Sequence, residues 1–119
     1  MATEYLMLSN IPANAVRDMM VNADTGESDS RFIGRPSVVT FAIVANAVGI
    51  ELEVRSGERT VVPRSTLEAG GTTGVYPNID QKAVSFSAAA GEKLRFTVRE
   101  TAAVATTDIM LSIDITPVR

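Results

Sequence analysis

The stretch "VGIELEVRSGERTVVP", Val48 to Pro63, decides the fold. Val48, Ile50, Leu52 and Val54 alternate with Gly49, Glu51, Glu53 and Arg55, a period of two that sends one face to a core and the other to water. "SGE" (Ser56 to Glu58) is a turn signal, and "RTVVP" starts a returning strand that Pro63 ends. The stretch therefore reads as a β-hairpin. The same period recurs in "EKLRFTVRET", with Leu94, Phe96 and Val98 inward and Lys93, Arg95, Thr97 and Arg99 outward. It recurs again in "TTDIMLSIDITPV", where Ile109, Leu111, Ile113 and Ile115 oppose Met110, Ser112, Asp114 and Thr116. The linker "AAVAT" between these two is too short for a helical crossover, which predicts that they are antiparallel neighbours.

Upstream, "SVVTFAIVAN" is apolar on both faces: Val39, Phe41, Ile43 and Ala45 on one, Val38, Ala42 and Val44 on the other. That predicts a central strand covered on both sides, with a neighbouring subunit as a candidate cover. "AVSFSA" near Phe86 and "YLMLSN" near the start are shorter strand candidates, and "NAVRDMMVNA" alone has a weakly helical look. The sum is an all-β chain of six to eight strands: an antiparallel β-sandwich, jelly-roll-like, with an extended N-terminal segment. Residues 1–36 are expected to form an N-terminal arm and loop that contribute contacts, and residues 37–119 the sandwich, within a single domain.

Composition agrees. The 119 residues fit one domain, 45 % of them are apolar, and only 5 % are aromatic. Val and Ile suit a pleated surface. The net charge is −3 with the two signs interspersed. The densest basic set, Arg55, Arg59 and Arg64, is surrounded by Glu51, Glu53, Glu58 and Glu68. No basic stripe exists to displace counterions, which argues against nucleic acid as a partner. The longest nearly uncharged run, Ser37 to Ile50, is too short and mixed to span a bilayer, which argues against a membrane. The start "MATEYLMLSNIP" lacks the basic and apolar regions of a signal peptide, so synthesis in a cytoplasm is expected.

The chemistry-bearing patterns are weak. "STLEAGGTTGVYPNID", Ser65 to Asp80, holds three closely spaced glycines, but no lysine follows until Lys82 and Pro77 breaks any helix, so it is not a phosphate loop. Its glycines read as turn positions in a long inter-strand connection, with Val75, Tyr76 and Pro77 as an apolar tip. Asp24, Glu27 and Asp29 do not have the spacing of a calcium loop, since Gly26 comes too early, and a solvated acidic loop is the expectation. Glu51 and Glu53 share a strand face but lie on its charged side, whereas acid–base work would require burial or an apolar pocket. Histidine and cysteine are absent, which removes the commonest nucleophile–base pairs. The reading is therefore of a protein that is not an enzyme and holds no metal or cofactor.

More informative are apolar residues outside the clean strands. Tyr5, Met7, Met19 and Met20 crowd the N-terminal fifth, and Phe32 and Ile33 interrupt a polar loop from Asn22 to Ser37. With Val75, Tyr76 and Pro77 they are the candidates for a protein interface, unless they complete the chain's own core.

The parts "GGTTGVYPNID", "AAAGEKLRFTVRET" and the final alternating strand ending in "TPV" cover roughly the C-terminal two-thirds of the chain. Together they resemble capsid decoration (cement) proteins of tailed bacteriophages, which are small jelly-roll-like structural proteins encoded beside major capsid proteins. The resemblance implies a virion protein on the capsid surface, made in the host cytoplasm. It would bridge neighbouring major capsid protein subunits as a homo-oligomer, dimer or trimer. A carbohydrate-binding β-sandwich of a tail fibre or adhesin is the alternative, with Tyr5, Tyr76 and the four phenylalanines as the aromatic platforms on offer.

Overall fold

A computed structural model describes residues 3–12, 14–22, 31–79, 84–101 and 107–118. Eight strands and one helical turn follow in the order β1 (Glu4–Ile11), β2 (Val16–Asp18), α1 (Met19–Asn22), β3 (Ser37–Ala45), β4 (Ile50–Ser56), β5 (Arg59–Thr66), β6 (Val84–Ala88), β7 (Leu94–Glu100) and β8 (Thr107–Pro117).

The β4–β5 hairpin is the centre of the design. Ser56 pairs with Arg59 across a two-residue turn whose first position, Gly57, has φ +62°. A type II′ hairpin turn needs that positive φ, and glycine supplies it without strain. From this turn the chain runs back along itself as a ribbon: β4 pairs β5, β3 pairs β6, β2 pairs β7 and β1 pairs β8, all antiparallel. The ribbon then wraps, bringing β8 against β3 and β7 against β4. The result is two four-stranded sheets, β1-β8-β3-β6 and β2-β7-β4-β5, which is the jelly-roll order.

Alternation decides which residues meet between the sheets. Leu6, Leu8, Val39, Phe41, Ile109, Leu111 and Ile113 come from the first sheet, and Ile50, Leu52, Val54, Leu94, Phe96 and Val98 from the second. Phe41 and Phe96 meet edge to face across the core, with ring centroids 4.8 Å apart. Each such side chain taken out of water contributes about 1.5–3 kcal/mol before conformational entropy is subtracted. Buried Glu100 accepts a hydrogen bond from the Thr107 hydroxyl at 2.5 Å, fastening the end of β7 to the start of β8.

Three expectations change. β7 and β8 are not neighbours but lie in opposite sheets. The steps from Thr101 to Thr107 can reach about 20 Å, ample for the roughly 10 Å between stacked sheets. The extended N-terminal segment is no departing arm: β1 is an edge strand of one sheet and β2 of the other, so residues from both sides of position 36 build one sandwich. Val48 does not face the core. It is 74 % exposed, because Gly49 at φ +97° turns the chain and β4 starts only at Ile50.

The weakly helical segment divides into the short strand β2, Val16–Asp18, and one helical turn, Met19–Asn22. Asp18 Oδ1 accepts the Met20 N–H at 3.0 Å and so starts that turn. It drives Met19 and Met20 into the core, each 0 % exposed.

Candidate docking surface

The outer faces of the two sheets differ in kind. Register places Glu51 opposite Arg99, Glu53 opposite Thr97 and Arg55 opposite Arg95 on the outside of the β4–β7 pair. Arg64 of β5 donates to Glu51 Oε1 from both Nε and Nη2, each at 2.6 Å. Glu51 is thus held in an ion pair within a mixed-charge face.

The outside of the other sheet is apolar or small. Tyr5, Ser112 and Ala42 align across β1, β8 and β3, and Met7, Met110 and Val44 form the next row. Met110, Ala42 and Ser112 are buried there although they point away from the core between the sheets. What covers them is the chain's own β5–β6 connection, not a neighbouring subunit.

That connection begins at Leu67, whose N–H donates to the Ile50 carbonyl at 2.7 Å. The Ala45 N–H then donates to the Glu68 carbonyl at 3.0 Å, and the Gly71 N–H donates to the Ala45 carbonyl at 3.0 Å. Gly71 lies so close to β3 that a Cβ there would sit 3.0 Å from Val44 Cγ1 and 3.2 Å from the Ala45 carbonyl oxygen. Close approach is one reason for a glycine, and the other is seen at Gly74. The Val75 N–H closes a turn on the Thr72 carbonyl at 2.9 Å, with Gly74 at φ +84° in its third position. The glycines of "AGGTTG" are thus fitted to the turn and to the underlying strand.

Polar side chains fix the turn laterally. The Thr73 hydroxyl donates to Asp108 Oδ2 at 2.7 Å and accepts from Asn46 Nδ2 at 3.1 Å. Asn46 Oδ1 in turn accepts the Asp108 N–H at 3.0 Å. Further on, Tyr76 packs on Tyr5 with ring centroids 5.1 Å apart and planes at 55°. The Ser112 hydroxyl donates to the Pro77 carbonyl at 2.8 Å. Between this strap and β3 lies a cavity of about 330 Å³ bordered by Ala42, Val44, Val75 and Tyr76.

Of the expected interface residues, Tyr5, Met7, Val75, Tyr76 and Pro77 therefore share one face of the molecule. Val75 is 61 % and Tyr5 53 % exposed, while Met7, Tyr76 and Pro77 are half-buried. Phe32 is also exposed, at 61 %, but it stands where the β6–β7 turn approaches and bridges to Lys93. The Arg31 guanidinium and the Lys93 ammonium flank its ring at 5.6 and 5.9 Å from the centroid. Met19, Met20 and Ile33 instead complete the chain's own core, where all three are buried. Ile33 is pinned by its N–H on the Glu92 carbonyl at 2.9 Å and its carbonyl under the Gly91 N–H at 2.7 Å.

Glu92 organises that end. Its Oε1 accepts the Ala89 N–H at 2.6 Å, the Ser56 hydroxyl at 3.0 Å and Arg59 Nη2 at 3.5 Å. The backbone hydrogen bond from Ala89 is the main cause that holds its pKa below the ordinary carboxylate value, with Ser56 and Arg59 adding to it.

Sequence reasoning missed Asn46, Thr73, Asp108, Ser112 and Asp114 as parts of this surface. A signal existed in the outward positions Met110 and Ser112 of the last strand, too apolar or small for a face meant for water. Asp24, Glu27 and Asp29 lie outside the described residues. Among the described residues no three His, Cys, Asp or Glu side chains converge as metal ligands, and no helix is long and apolar enough to cross a membrane. No family model matches the chain, and no curated protein matches its sequence.

Proposed function

We propose that this chain is a structural virion protein, a decoration protein that docks on the outer surface of a tailed-phage capsid and bridges neighbouring major capsid protein subunits. One observation carries the reading: Val75, Tyr76 and Pro77 of the strap share a face with Tyr5 and Met7 of β1, and Tyr5 and Val75 are more than half exposed. Exposed apolar and aromatic side chains gathered on one face mark a surface for protein contact. Their seating on a sheet means that little ordering entropy remains to be lost on docking. The sequence resemblance of "GGTTGVYPNID" and "AAAGEKLRFTVRET" supports the capsid as the partner. Phe32 between Arg31 and Lys93 offers a second contact, aromatic and cationic, as residues at binding hot spots tend to be. Two separate contacts on a small module suit bridging, and self-association into a dimer or trimer would multiply them.

The test is co-sedimentation of the purified protein with shells assembled from the major capsid protein of the genome that encodes it. Pelleting with the shells and a higher shell melting temperature are expected, both reduced in a Tyr5→Ala, Val75→Ser double variant. Failure to pellet, with unchanged shell stability, would refute the reading.

A further inference from the structure

Two open sheets have four edge strands between them, and each edge is a row of backbone N–H and C=O groups able to pair with another strand. Three of the four edges are guarded here. β2 is three residues long and ends at once in α1, with Asp18 Oδ1 accepting the Met20 N–H. β5 carries Pro63 between Arg59 and Arg64. β6 has five residues, and the Ser87 carbonyl accepts a hydrogen bond from Arg59 Nη2.

β1 carries none of these devices. It is eight residues long, has no charge from Tyr5 to Ile11 and meets a proline only at Pro12, past its end. β8 pairs with one side of it and no other strand lies on the far side. Among the described residues no backbone hydrogen bond from a loop reaches that far side either. The ladder with β8 is regular from Glu4 to Leu8 and shifts register between Leu8 and Ile11, so Glu4 to Leu8 is the straight part on offer.

Such an edge is complementary to itself. Antiparallel pairing of two copies about a two-fold axis satisfies both rows together and closes at two. A foreign strand would leave the edge bare in the free protein, whereas a second copy is at hand wherever the chain is made. The register that uses the whole straight part is centred on Leu6, which then opposes Leu6 of the second copy, while Tyr5 opposes its Met7. No like charges face each other there, and a thioether beside an aromatic ring is a favourable contact. Centring on Met7 would carry the pairing into the irregular part beyond Leu8.

We infer that β1 is a self-association edge, through which two copies pair antiparallel about Leu6 and join their β1-β8-β3-β6 sheets into one. Directly opposed residues of antiparallel strands point to the same face of a sheet. Tyr5 and Met7 of both copies, and both straps with them, therefore face one way. The dimer thus presents two copies of the docking surface side by side, as contact with two neighbouring subunits requires. That use of the dimer rests on the docking reading; the pairing itself does not, and is tested without any capsid.

The experiment is sedimentation equilibrium of the full chain over micromolar concentrations, where a mass of twice 12.7 kDa is expected. Tyr5→Lys with Met7→Lys sets lysine against lysine across the edge and should raise the dimer dissociation constant roughly tenfold or more. Tyr5→Lys with Met7→Glu sets lysine against glutamate and should keep the dimer, which separates register from mere loss of apolar surface. Phe32→Lys, at an exposed site outside β1, should change nothing. The chain has no cysteine, so oxidising a mixture of Tyr5→Cys and Met7→Cys chains should link the two kinds of chain by a disulfide. A monomer, a trimer, equal weakening by the two double variants, or absence of the mixed disulfide would each overturn the inference. A monomer that still pellets with capsid shells would refute the edge pairing and leave docking intact.

Discussion

Replacing Met19 by alanine separates a core segment from a docking arm. The side chain is 0 % exposed and lies in the core cluster with Met20, on a helical turn that packs against β7. Met→Ala substitutions at buried sites cost about 2–5 kcal/mol, the transfer of the lost atoms plus the cavity they leave. Flexible Met20 can relax partly into the gap, which places the expected loss near the lower end, at about 2–3 kcal/mol. With an m-value in urea of about 1.5 kcal/mol per molar, the midpoint should fall by about 1–2 M. The chain has no tryptophan but two tyrosines, Tyr5 and Tyr76, so urea unfolding can be followed by tyrosine fluorescence and far-ultraviolet circular dichroism together. Both probes should shift equally, with m unchanged, since β2 and α1 belong to the same cooperative unit. Phe32→Ala, at an exposed site, is the control and should move the midpoint by less than about 0.3 M. A Met19→Ala midpoint within that same margin would refute the reasoning, because it would mean that this segment adds nothing to the folded core.

Other expectations follow from individual contacts. Gly71→Ala should destabilise by about 1–3 kcal/mol, because its Cβ would press on Val44 and the Ala45 carbonyl, and Val44→Ala should relieve part of the cost in a double-mutant cycle. Thr73→Val loses its hydrogen bonds to Asp108 and Asn46, so amide exchange at Val75 should quicken while global stability falls by only about 1 kcal/mol; unchanged exchange would show that Thr73 does not hold the strap. Glu92 has a folded pKa below the ordinary value near 4.5, so its stabilisation is complete above that value and is lost as pH falls through the lower folded one. Glu92→Gln should therefore be less stable at neutral pH, and its stability should fall less steeply under acid titration. Parallel acid limbs for the two proteins would contradict this.

What the sequence disclosed followed the physics of two-faced strands. β4 and β7 bury one face each, and β8 alternates Ile109, Leu111, Ile113 and Ile115 with Met110, Ser112, Asp114 and Thr116, so their period of two was visible without any structure. β1 was harder, since "YLML" is apolar throughout and only its pairing with β8 sends Leu6 and Leu8 inward and Tyr5 and Met7 outward. Met19 and Met20 were ambiguous for a different reason: a methionine filling a core and one waiting on a surface are the same letter. The neighbour relation of β7 and β8 depended on wrapping of the whole ribbon, which no short linker encodes. On the outer face of the β1-β8-β3-β6 sheet, Ala42, Val44, Met110 and Ser112 signalled that something covers the sheet. The cover itself, residues 67–79, touches strands far away in sequence through backbone hydrogen bonds and close approach at Gly71, neither of which has a residue pattern.

The two outer faces now explain each other. On the β2-β7-β4-β5 sheet Arg64 and Glu51 form a partly exposed ion pair, worth about 0–1 kcal/mol, in a face shared with Arg99 and Arg95. Pro63 lies in its edge strand β5, where a missing N–H discourages strand addition. That side is built to stay in water. The β1-β8-β3-β6 sheet does the opposite: it has an outer face too apolar to leave bare and covers it with a strap, yet the strap returns Val75 to solvent and Tyr5 beside it stays half exposed. A chain evolved only to hide that face would have turned Val75 under or replaced it with a polar residue. Covering most of the sheet while leaving Val75 and Tyr5 more than half exposed is the arrangement on which the proposed docking reading rests.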